Sequence, residues 1–169
     1  EGYGAEVVSG AELELALRLS VPGHRIIYNG PLKSPQSVKE AVEHGVAIHV
    51  DSVTELGRVL EAASAMGRIG RIALRIAPNF AVDGSPAWNK FGLSVDEGEV
   101  DQASSLLTKS AAGVLEGLHM HVGTNITGAE TYDRECDAMV KAFLRLTSSQ
   151  RNNLRYIDIG GGFSANSGA

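Results

Sequence analysis

Short runs of β-branched and other apolar residues alternate along the chain with longer stretches in which apolar positions recur every three or four residues. The first pattern is that of buried strands and the second that of helices with one apolar face. Strands are predicted near Ala5–Val8, Arg25–Tyr28, Ala47–Val50, Arg71–Ile76, Leu115–Val122 and Arg155–Ile159, with helices filling most of the intervals. Such alternation builds a parallel sheet, so the fold class is α/β.

The helix starts are legible. Ser9 with Glu12, Ser52 with Glu55 and Thr127 with Glu130 fit the S/T-x-x-E box, in which the hydroxyl accepts the N3 amide and the carboxylate returns to the cap amide. Ser34-Pro35 predicts a fourth start, with proline where its missing N–H costs nothing, and Gly45 closes that helix. Leu13, Ala16, Leu17 and Leu19 make one apolar face of the first helix; Met139, Phe143 and Leu146 make that of a late one. The least regular stretch, Pro78 to Gly92, holds Gly84, Pro86, Trp88 and Lys90, and loops of this length are often functional.

Length bounds the architecture. The 169 residues suit one domain, yet an eight-stranded α/β barrel takes about 250, so six strand-helix units make either an open sheet or an incomplete barrel. Fifteen Lys plus Arg against twenty Asp plus Glu, without a basic block, exclude the footprint of a nucleic-acid binder and favour a small ligand. No apolar run approaches the about 18 residues of a membrane span, Cys136 has no partner for a disulfide, and Glu1 to Ser9 lack a signal-peptide pattern. A cytoplasmic location is expected.

In parallel α/β folds ligands gather at the carboxyl ends of the strands. There the predicted strands deliver Ser9, Asn29, Asp51, Arg75, His119, His121, Gly123-Thr124 and Gly160-Gly161-Gly162. The three glycines fit a backbone cradle for a phosphate and equally a tight turn. Gly160 to Ala165 also matches G-x-G-x-x-G/A, without the acidic residue that a dinucleotide site needs about 20 positions on. His119 and His121 share a strand face, which suits either a metal pair completed by His49 and Asp51 or hydrogen-bonded histidines in a polar barrel mouth. Arg75 ends an apolar strand and demands an anion, either a ligand or the side chain of Asp51 or Glu12. Trp88 and Phe91 could close a pocket or simply pack, and Cys136 reads as an ordinary helix residue rather than a nucleophile.

In order, the strings AEVVSGAELELAL, RIIYNGPLKS, GVAIHVDSVTEL, RIALRIAP, NKFGL, GLHMHVGTNI and YIDIGGGF resemble the pyridoxal-phosphate decarboxylases of the alanine-racemase-like fold. That group includes the diaminopimelate, ornithine and arginine decarboxylases, and HMHVGTNI with VVSGAEL looks closest to the diaminopimelate branch. The resemblance implies an incomplete (β/α)8 barrel spanning about strands 2 to 7, one partial domain over residues 1–169, and pyridoxal 5'-phosphate as cofactor. It implies that His121 stacks on the pyridoxal ring, Arg75 lies beneath it near the ring oxygen, and Thr124 with Gly160, Gly161 and Gly162 holds the phosphate. Ser9 and Glu12 match an SGGE-type turn at the cofactor, and Lys90 matches the KFG lysine.

The reaction implied is decarboxylation of an amino acid by a homodimer, with no metal, nucleic acid or membrane involved. A racemase on the same barrel, a metal-dependent hydrolase using His119 and His121, and a non-catalytic pyridoxal-phosphate binder are the alternatives. The family's cofactor-bearing lysine sits in a YAxKAN-type strand, and none of Lys33, Lys39, Lys90, Lys109 or Lys141 matches it. The EPGR segment and the C-terminal β domain with its Cys-Asp pair have no counterpart here either, and the stretch Asn79 to Asn89 is shorter than usual. The segment is therefore expected to be an excised centre of the barrel, silent by itself. The cofactor reading requires the glycine turn and Thr124 to converge on one phosphoryl group.

Overall fold

A computed structural model describes residues 2–82 and 90–164. Gly84, Pro86 and Trp88, and Ala165 of the glycine motif, lie outside the described residues. The chain runs β1 Ala5–Val7, α1 Gly10–Arg18, β2 Ile26–Tyr28, α2 Pro35–His44, β3 Ala47–Val50, α3 Val53–Ala65, β4 Gly70–Arg75, α4 Glu99–Lys109, β5 Gly113–His119, α5 Ala129–Arg145, α6 Ser148–Asn153 and β6 Tyr156–Asp158. All neighbours pair in parallel, in the order β1-β2-β3-β4-β5-β6. Strand order thus follows chain order without the reversal that marks a doubly wound sheet, which is the winding of a barrel.

Strand periodicity divides the sheet into two chemically distinct faces. Val7, Ile26, Tyr28, Ile48, Val50, Ile72, Leu74, Leu115 and Leu118 share one face by register, and all are buried in the core formed with the helices. Glu6, Asn29, His49, Arg75, His119, Tyr156 and Asp158 fall on the other. Between β4 and β5 the register slips: Ile72 opposes Leu115 but Ala73 opposes Gly117, so Glu116 is the extra residue of a bulge. Glu116 is buried and accepts a 2.9 Å bond from Arg71 Nε.

The predicted caps are partly realised. Ser9, Ser34 and Ser52 each cap a helix, and Gly45 ends α2 in the left-handed conformation. The carboxylates of Glu12 and Glu55 reach one residue beyond the cap, to the amides of Val8 and Asp51, both at 2.7 Å. Thr127 caps nothing: α5 starts at Ala129, after Gly128 and without a side-chain cap. The reciprocal box is Thr147 with Gln150, at the start of α6. Leu19 does not join the α1 stripe, because the helix ends at Arg18 and Leu19 is left 70% exposed. β5 ends at His119, short of the predicted Val122.

Candidate functional site

The polar face of the sheet ends in a cleft of about 400 Å³ at the carboxyl ends of the strands, lined among others by Asn29, Arg75, Phe91, His119, His121, Gly160 and Gly161. Arg75 Nη1 lies 3.2 Å from Asp51 Oδ1, and its guanidinium stands 5.0 Å from the centre of the Phe91 ring. Of the partners predicted for Arg75, Asp51 is the one it meets. Held from both sides, the guanidinium is a fixed positive charge at the cleft.

The glycine turn follows β6. Gly160 and Gly162 have φ of +67° and +89°, where a Cβ is strained. A Cβ on Gly160 would lie 2.8 Å from His121 Nδ1, and one on Gly162 would run into the carbonyl oxygen of Gly123. The absence of side chains therefore lets the turn lie against the segment after β5. Ile126 N donates to Gly162 O at 2.8 Å and Ser164 N donates to Ile126 O at 3.1 Å, joining the two segments. The Gly161 amide approaches His121 Nδ1 at 3.4 Å, while the amides of Thr124 and Gly162 donate to no group among the described residues. Glycine turn and Thr124 are neighbours. Burial, then the nearby Arg75, lowers the proton affinity of His121, which favours its neutral ring.

Beneath the turn lies a layer that sequence reasoning only half anticipated. Asp158 Oδ1 accepts the Gly160 amide at 2.7 Å, and Oδ2 lies 3.2 Å from His119 Nδ1 and 3.7 Å from His49 Nδ1. His49 Nε2 is 2.9 Å from the Tyr156 hydroxyl. Ala73 and Gly117 lie between His49 and Tyr156 in the register, and a Cβ on Gly117 would meet the Tyr156 ring at 2.5 Å. That small pair leaves room for the two rings to meet. Burial raises the Asp158 pKa, but His119 and the Gly160 amide outweigh it and hold the carboxyl at about 2; burial, then His119, push His49 down to about 3. Of the nominated metal set, His49 and His119 come together, but Asp51 is occupied by Arg75 and His121 faces Gly161.

Ser9 and Glu12 are engaged in the α1 cap, and it is their neighbours Glu6 and Val8 that line the cleft. Lys90 is exposed. Asp158 and Tyr156 were missed, although their signal was present: two polar positions, one residue apart, on the strand that feeds the glycine turn.

Glu135 of α5 is 1% exposed, and neither carboxylate oxygen has a hydrogen-bond partner among the described residues. Burial, then Asp158, raise its pKa from 4.5 to about 7. The native protein keeps a proton there that the unfolded chain has lost, so stability falls as pH rises from 4.5 to about 7. Glu135→Gln should match the parent near about pH 4 and exceed it by about 2–3 kcal/mol at about pH 8. Urea unfolding at the two pH values checks this, and an equal gain at both would exclude the ionised carboxylate as the cause.

The family model described as "Pyridoxal-dependent decarboxylase, pyridoxal binding domain" matches residues 1–168. The chain belongs to this family. Diaminopimelate decarboxylases resemble this pyridoxal-binding domain along its length: that of Methanocaldococcus jannaschii is 30% identical over 95% of the chain and 38% of the relative, and that of Aquifex aeolicus 32% over 95% and 39%. Among solved structures, the M. jannaschii diaminopimelate decarboxylase in complex with L-lysine superposes with a TM-score of 0.84 at 28% identity, covering 95% of this chain and 38% of that one. The arginine decarboxylase of Paramecium bursaria Chlorella virus gives 0.74 at 26% identity, over 98% and 44%. The domain spans about two fifths of these relatives, and its six-stranded sheet is an incomplete (β/α)8 barrel.

Proposed function

We propose that this domain holds pyridoxal 5'-phosphate at the carboxyl ends of its strands, within a protein that decarboxylates an amino acid of the diaminopimelate or arginine type. The observation that carries the reading is the Gly160–Gly162 turn joined to residues 123–126, with Gly160 and Gly161 lining a cleft shared with His121 and Arg75, and with the amides of Thr124 and Gly162 unengaged among the described residues. A phosphate dianion suits that cradle, since backbone donors and a threonine hydroxyl can hold it without a cluster of cations.

In this reading the neutral imidazole of His121 lies flat on the pyridine ring and fixes its plane. Arg75, braced by Asp51 and Phe91, faces the ring oxygen and keeps negative charge there. When bound, pyridoxal phosphate supplies the electron sink that accepts the electron pair left when carbon dioxide departs. The domain contributes position and fixed charge. Diaminopimelate and arginine, for which these relatives are named, both carry a charged distal end, which sets the proposed substrate class.

His121→Ala in the full-length protein should weaken cofactor binding about tenfold, the worth of one good ring stack, and lower turnover. Absorbance titration with pyridoxal phosphate and assay of carbon dioxide release check this; unchanged values for both would remove His121 from the site. Change of substrate chirality without carbon dioxide would indicate a racemase instead.

A further inference from the structure

We propose that His49, His119 and Asp158 form a binding site for one divalent transition-metal ion of the zinc class, beneath the Gly160–Gly162 turn. Their three donor atoms lie within 4.8 Å of one another. Zinc binds histidine nitrogen and carboxylate oxygen at about 2.0–2.1 Å, which puts neighbouring donors of a tetrahedral site about 3.4 Å apart. The separations from Asp158 Oδ2, 3.2 Å to His119 Nδ1 and 3.7 Å to His49 Nδ1, bracket that edge, while the set as a whole reaches 4.8 Å, so binding an ion requires the two rings to draw together.

The hydrogen-bond pattern points the same way. Both imidazoles are 1% exposed, and among the described residues their Nδ1 atoms face no polar group other than the Asp158 carboxylate, at 3.2 Å for His119 and 3.7 Å for His49. Their outer nitrogens are engaged, His49 Nε2 with the Tyr156 hydroxyl and His119 Nε2 with the Asn29 amide at 3.1 Å. Metal-bound histidines are held in this way, the ring anchored through the nitrogen that does not ligate. Asn29 Oδ1 is buried and also unpartnered. Turning that amide over presents the oxygen to an Nε2–H of His119, in exchange for its bond to the exposed Glu6.

Two imidazoles and a single carboxylate select zinc, cobalt or nickel over magnesium or calcium, which require oxygen donors. The ion would join β3, β5 and β6, and through Asp158 Oδ1 it would fix the amide of Gly160. The site does not depend on pyridoxal phosphate being bound. It differs from the set that the sequence offers as an alternative, His119 and His121 completed by His49 and Asp51.

The test uses the full-length protein, freed of cofactor with hydroxylamine and of metal by dialysis against a chelator, then desalted and titrated separately with zinc and cobalt(II). One equivalent per chain should bind saturably, raise the melting temperature and give cobalt the intense visible bands of a four- or five-coordinate ion. His49→Asn and His119→Asn should each weaken zinc binding by more than about 100-fold, and Tyr156→Phe by about tenfold, the range for an outer partner. Absence of saturable binding, a weak octahedral cobalt spectrum, or affinity unchanged in His49→Asn would overturn the site. If the histidine variants do not fold, X-ray absorption on the zinc-loaded parent decides: two imidazoles at bonding distance support the proposal, and fewer than two overturn it.

Discussion

Glu55→Ala should cost about 3–5 kcal/mol, the penalty for stranding a buried charge. The Lys33 side chain is fully buried, and its ammonium donates to the carbonyls of Gly30 and His49 and to both Glu55 oxygens at 3.2 Å. Burial lowers the Lys33 pKa from 10.5, and Glu55 opposes that. Removing Glu55 also frees the Asp51 amide, which donates to Glu55 Oε2. A lysine whose folded pKa is depressed destabilises while the native form must stay charged, and the deficit closes as pH rises toward the ordinary value. The variant should therefore lose least relative to the parent on approaching pH 10.5. Urea unfolding across that range measures both effects, and Lys33→Met combined with Glu55→Leu should recover much of the loss. A cost below about 1 kcal/mol would place this pair with ordinary surface ion pairs.

Gly162→Ala should remove pyridoxal-phosphate binding in the full-length protein and cost about 2–4 kcal/mol, the sum of a left-handed residue carrying a Cβ and a steric clash. The φ of +89° and the Gly123 carbonyl oppose the new methyl together, so the turn must part from residues 123–126. Gly161→Ala is the control. Among the described residues, no atom beyond its chain neighbours lies within 4 Å of a Cβ there, so its melting temperature should stay near the parent's. Absorbance titration and thermal melting of both variants check the contrast. If the two behave alike, the close approach of Gly162 to Gly123 does not govern the cradle.

The sequence revealed what is local. Ser9, Ser34 and Ser52 act within three residues of themselves, and alternation along short strands places Arg75, His121 and Gly160 at one rim. Thr127 misled because Gly128 already supplies the turn into α5, and a cap depends on where the backbone leaves the helix rather than on the motif alone. The pairing of Lys33 with Glu55 has no local signal, since the two lie 22 positions apart and Glu55 fits a cap. His49, His119 and Asp158 meet only after four parallel strands have been set in register, which periodicity within one segment cannot supply.

The extra residue in β5 acts as a phase reversal. Had β5 continued in step from Leu115 opposite Ile72, Leu118 would have stood beside Arg75; after the slip it is His119 that does. The bulge three positions upstream thus keeps an imidazole, rather than a hydrocarbon, at the end of that strand. Deleting Glu116 would keep His119 beside Arg75 on an unbulged strand, whereas closing the bulge with Glu116 retained would put Leu118 there, so the bulge lets this strand carry an extra residue without changing what it offers at the barrel mouth.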